Sequence, residues 1–121
     1  MNRLQVGDRI KIFGGYDMNS PWLFGGEGYT AKILLFFDNY INGREDDSRM
    51  SISIEFDEPL TFKGLTGKYG FIMGRWEDQK WDDVGVVHVH ITTNKITKAS
   101  DITEENSRWV ESHASYEKIS G

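Results

Sequence analysis

Hydrophobic and polar positions alternate with a period of two along much of this chain, the signature of strands with one face in a core. In Val6–Phe13, VGDRIKIF, Ile10 and Ile12 alternate with Arg9, Lys11 and Phe13, after a Gly7-Asp8 turn signal. Met50–Phe56, MSISIEF, sets Met50, Ile52, Ile54 and Phe56 against Ser51, Ser53 and Glu55. The clearest case follows Trp81-Asp82-Asp83: in Gly85–Thr92, Val87, Val89 and Ile91 fall on one face, and Val86, His88, His90 and Thr92 on the other. Tyr29–Asp38 has a nearly continuous apolar run from Ile33 to Phe37, and its aromatic content and flanking turn residues predict a buried strand rather than a short helix. Tyr69–Trp76, YGFIMGRW, is a further strand.

The segments between are turn-rich. Gly14–Gly28 is a long loop carrying Trp22 and Phe24, which either plug one end of a barrel or form an exposed aromatic platform. Asn39–Arg49 is polar, with an Asn42-Gly43 turn signal. Pro59, which cannot donate to a strand ladder, is expected to stop the third strand, leaving Leu60–Lys68 as an irregular connection. Asp101–Asn106, DITEEN, has the D-x-x-E pattern of a helix start and predicts one helical turn. Arg108–Ile119 reads either as a strand, with Val110, Ser112, Ala114 and Tyr116 on one face, or as a helix with a stripe of Trp109, His113 and Tyr116; a helical turn followed by a terminal strand is the expectation.

Composition supports an all-β reading. Thirteen glycines against two prolines, with 13% aromatic residues, fit many turns and large packed side chains, and 121 residues suffice for one domain spanning 1–121. The opening strand with Gly7, Asp8 and Ile10, the glycines Gly26 and Gly28 before the second strand, and the Ile54, Phe56, Asp57 pattern in the third resemble the start of SH3-like small barrels. KOW-type modules and the C-terminal barrel of nitrile hydratase β-subunits are nearest in pattern. The resemblance covers about the first half of the chain and implies architecture: an SH3-like barrel of five to six bent antiparallel strands with long loops and one short helical turn. It implies no activity.

The net charge of −5 argues against a nucleic-acid backbone partner and favours a basic protein. Without cysteine there are no disulfides or thiolate metal sites. No stretch approaches the ~20 apolar residues of a membrane span, and the expected location is cytoplasmic.

Three candidate sites emerge. His88 and His90, about 7 Å apart on one strand face, have the spacing of a metal-ligand pair, with His113, Asp82 and Asp83 available as a third ligand. Burial statistics nevertheless favour reading them as polar residues on the half-exposed face of an antiparallel strand, and no metal site is expected. The cupin pattern fails, because no glutamate follows His90 at the short distance it needs. Carboxylate pairs such as Glu55 with Asp57 lack any feature that would part their pKa values. The third is aromatic side chains beside acids: Trp76, Glu77 and Asp78, then Trp81, Asp82 and Asp83, with Trp22 and Phe24 on the long loop. Aromatic anchors ringed by charge are what protein interfaces use as hot spots. The expected function is therefore a non-enzymatic protein-binding module, specifically a bacterial immunity or antitoxin-type inhibitor of a basic toxin, with no cofactor. The alternatives are a metal- or small-ligand-binding barrel using His88 and His90, possibly enzymatic, and a structural adaptor in a larger assembly.

Overall fold

A computed structural model describes residues 4–13, 28–37, 51–74 and 84–120. Among the described residues six strands follow one another: β1 (Arg9–Phe13), β2 (Tyr29–Phe37), β3 (Ser51–Phe62), β4 (Leu65–Gly74), β5 (Val84–Thr92) and β6 (Ser107–Ser120). Each pairs antiparallel with its neighbour, and β6 returns to β1, closing a barrel. The chain is thus an all-β small barrel, consistent with the SH3-like class. Closure leaves no strand edge in the ring unpaired.

The interior is filled by the residues that alternation selects. Ile10 and Ile12, Ala31 and Ile33, Ile52, Ile54 and Phe56, Ile72, then Val87, Val89 and Ile91 are all fully buried in one cluster. Leu4, Leu60, Leu65, Val110, Ala114 and Tyr116 complete it. Arg108 lies at the start of β6, where its guanidinium donates to the carbonyls of Lys63, Glu104 and Ser107.

Several expected boundaries shift for identifiable reasons. The first strand begins at Arg9 rather than Val6, because Val6 and Gly7 form a turn in which the Asp8 amide donates to the Gln5 carbonyl. Pro59 does not end β3. It lies in a break of register between Glu55, which faces Tyr69, and Leu60, which faces Gly67, where no ladder bond is required of it. The expected irregular connection 60–68 is instead a tight hairpin, with Phe62 opposite Leu65. Its two central residues, Lys63 at φ 48° and Gly64 at φ 79°, take the left-handed backbone that two-residue hairpins with the right twist require. The helical turn exists, but as a 3-10 turn at Ala99–Asp101. Asp101 does not open a helix; its carboxylate reaches back to accept from the Thr97 and Lys98 amides at 3.0 and 3.2 Å. Arg108–Ile119 contains no helix: β6 is extended throughout because it is hydrogen-bonded to β5 on one side and β1 on the other. Val110, Ala114 and Tyr116 do share the interior face.

One irregularity shapes everything outside the barrel. In β2, Ile33 faces Ile54 while Leu35 faces Ser53, so Leu34 is an extra residue with no counterpart. Such a bulge reverses the alternation. Ala31 and Ile33 point inward before it, whereas after it Phe36 packs on the interior and Leu35 and Phe37 turn outward.

Candidate functional site

The residues on which the sequence reading placed a partner surface, Trp22, Phe24, Trp76, Glu77, Asp78, Trp81, Asp82 and Asp83, lie outside the described residues. The histidine pair lies within them. His88 and His90 occupy the outer face of β5, as alternation predicts, opposite Met73 and Phe71 of β4. Among the described residues no group of three histidine, aspartate or glutamate side chains is disposed to hold a metal ion.

The outer face around His90 is built in cross-strand rows. Leu35, Ser53, Phe71, His90 and Trp109 stand side by side on β2 to β6, and Phe37, Ser51, Met73 and His88 form the next row on β2 to β5. Within the first row the His90 imidazole stacks on the Phe71 ring, centroids 4.3 Å apart and planes 11° from parallel. Trp109 continues the series at 6.3 Å and 16°, with more than half its surface exposed. Phe37 meets Phe71 edge-on at 6.0 Å. Gly70 lets this part of the sheet close up: a Cβ there would stand 2.3 Å from the His90 carbonyl oxygen.

The two serines of β3 sit between these larger side chains. Because Ser51 and Ser53 are small, the sheet surface between Phe37 of β2 and Phe71 and Met73 of β4 is a trough. The β5–β6 connection roofs it. Ile96 is fully buried against Phe37 and Phe71, and Ala99 and Ile102 pack on the same cluster. Both serines are buried although they belong to the strand's polar face, a departure from the solvent-facing side that their alternation predicts.

The connection holds its own shape. Asp101 accepts from Thr97 and Lys98, as above, and its carboxyl stands below the usual aspartate range because of those bonds. The Asn106 side-chain amide donates to the Asp101 carbonyl at 2.7 Å and to Asn94 at 3.1 Å, while its oxygen accepts from the Thr103 amide. The roof is thus fixed by polar contacts on its outer side and apolar contacts beneath.

Between sheet and roof lies a cavity of about 480 Å³, partly open to solvent. Phe37, Ser51, Phe71, Met73 and His90 line it from the sheet, and Ala99, Ser100 and Ile102 from the roof. Its described walls are mostly apolar, and none of the described lining side chains carries a formal charge at pH 7 (His neutral). At roughly 30 Å³ per water, it is far larger than a bridging-water site.

His90 is the one titratable group among the described lining residues. Burial, with a smaller contribution from the neighbouring His88, pushes its pKa down to about 4, so the imidazole is neutral at physiological pH. Its Nδ1 is buried without a hydrogen-bond partner, as is the Ser53 hydroxyl. Leaving a buried polar group unpaired costs about 1–3 kcal/mol, and native proteins contain few of them.

The sequence reading selected His90 but missed Phe37, Phe71, Met73, Ser51 and the roof. Two signals were present: apolar Ile96 and Ile102 in an otherwise polar connection, and two serines at strand spacing in a run of isoleucines. Compared with known proteins, the chain matches no family model, no curated protein and no solved structure.

Proposed function

We propose that this chain is a small-ligand-binding barrel whose site is the cavity between the outer face of β2–β5 and the β5–β6 connection. The observation that supports it is the cavity itself: about 480 Å³, within the ~300–1,000 Å³ of sites for small organic molecules, with mostly apolar walls and a few polar groups. The described lining favours an organic ligand over a metal ion, since among the described residues His90 stands there with phenylalanines, methionine and serine rather than with carboxylates. The likeness to KOW-type modules and nitrile hydratase β-subunits supplies architecture alone to this reading.

Binding is tested by NMR, following the Met73 methyl on addition of p-xylene or p-cresol. A saturable shift with either probe is expected, and Ala99→Phe, which fills the cavity from the roof, should abolish it. If neither probe moves Met73, the reading fails.

One observation favours a second reading, the protein-binding module expected from the sequence. Trp109 is 56% exposed on the same face, and tryptophan is enriched among interface anchors. On that reading the acidic stretch Glu77–Asp83 attracts a basic toxin, and the protein acts as an immunity-type inhibitor. Reversing the charges of Glu77, Asp78, Asp82 and Asp83 would weaken capture of that partner from the native host. Unchanged capture would exclude it.

A further inference from the structure

Ligand chemistry in the cavity is narrowed by what its described walls lack and by the polar groups they carry. Among the described residues no lysine, arginine, aspartate or glutamate lines it, so there a buried carboxylate or ammonium would find no counter-charge and would lose its hydration without replacement. A pure hydrocarbon would satisfy the apolar walls and leave unused two polar groups of the described lining, the His90 imidazole and, two strands away in the next row, the Ser51 hydroxyl. A neutral imidazole has one donor nitrogen and one acceptor nitrogen. A ligand hydroxyl both donates and accepts, so it meets His90 in either tautomer.

Shape selects further. Phe71 and His90 stack nearly parallel, and Phe37 stands edge-on to Phe71. A planar ring can lie against either surface in the offset or edge-to-face geometries that aromatic rings prefer. The Met73 thioether, flexible and polarizable, adapts to such a ring at its edge.

Resting on the cavity being a binding site, we infer that its ligand is a neutral aromatic alcohol of one or two rings, the ring held by Phe71, Phe37 and Met73 and the hydroxyl hydrogen-bonded to His90. His90 then acts as the specificity-determining residue, and the phenylalanines supply the bulk of the contact.

Three probes of nearly equal shape separate the parts of this inference: p-cresol, p-xylene with a methyl in place of the hydroxyl, and p-toluate with a carboxylate there. Titrated into the full chain, p-cresol should bind at least tenfold more tightly than p-xylene, and p-toluate should not bind. In 15N spectra of the wild-type protein the His90 ring nitrogens should shift with p-cresol and stay in place with p-xylene, a readout that needs no variant. His90→Phe, which keeps a ring on Phe71 and removes both nitrogens, should bring p-cresol down to the affinity of p-xylene. Equal binding of p-cresol and p-xylene, or tighter binding of p-toluate, would overturn the inference while leaving the cavity a binding site. If no probe moves the Met73 methyl, the site reading itself falls, and this inference with it.

Discussion

The inside of this barrel and the outer face beneath the β5–β6 connection are made by the same strands, yet they are packed in opposite ways. Inside, β-branched and aliphatic side chains from all six strands interlock, and Ile10, Ile12, Ile33, Ile52, Ile54, Ile72 and Ile91 lose all contact with solvent. Outside, rings and serines stand in rows under a short roof, and a cavity of about 480 Å³ separates the two. Interiors filled to close packing have no room for change, and every missing methylene is felt. A face built of large and small residues in alternation leaves space that the protein does not fill itself. The interior holds the fold; the outer face has the room to do something with it.

That contrast can be broken at four points. The largest effect should come from the interior: Ile72→Ala, which removes a fully buried side chain, is expected to cost about 2–5 kcal/mol in urea denaturation. A loss under about 1 kcal/mol would mean that the interior relaxes as the outer face does.

The second test is acid. His90 has a folded-state pKa of about 4 against 6.5 for the free side chain. Above pH 6.5 the imidazole is neutral whether folded or not, and it contributes no pH dependence. As pH falls from 6.5 towards 4 the unfolded chain binds a proton that the folded chain refuses, so stability declines across that window. The full decline is on the order of 3 kcal/mol at about 1.36 kcal/mol per unit. His90→Phe should flatten the stability profile between pH 6.5 and 4, and an unchanged slope would show that the outer face leaves this side chain well hydrated.

Third, Gly70→Ala places a methyl against the His90 carbonyl and 2.9 Å from the Phe56 ring. Because it strains inner and outer layers at once, a cost of about 1–3 kcal/mol is expected by thermal denaturation. The smallest effect should be the most telling. Ala99→Phe adds a ring on the roof side of the cavity and should change stability by less than about 1 kcal/mol, whereas an equal enlargement inside, Ala31→Phe, should cost about 1–3 kcal/mol or more. Equal costs would show that the outer cavity is too tightly bounded to take a ring.

The interior was legible in the sequence for a simple reason: alternation reports which side chains share a face, and Ile52, Ile54 and Phe56 or Val87, Val89 and Ile91 could be selected from spacing alone. Alternation could also place His90 on the opposite face. It could not tell that this face is covered, because the cover comes from residues 93–106, which follow β5 directly but are mostly polar and read as an exposed connection. The bulge at Leu34 was hidden too, since in the run from Ile33 to Phe37 every position is apolar and no break in period is visible. The hairpin at Lys63-Gly64 was missed because Pro59 was given the weight of a strand terminus, when a break in register absorbed it. The aromatic and acidic surface proposed for a partner falls on residues 22–24 and 76–83, outside the described residues.

The pairing of β1 with β6 has a kinetic consequence. Five of the six strand pairs join neighbours along the chain, and these hairpins can zip locally and early. The sixth joins Arg9 to Ser120, at opposite ends of the sequence. The entropy of closing so long a loop must be met before that pairing returns anything, so closure should come late on the folding path. Until it does, β1 and β6 each present an open edge, and the chain is briefly the sticky sheet that the finished ring no longer is.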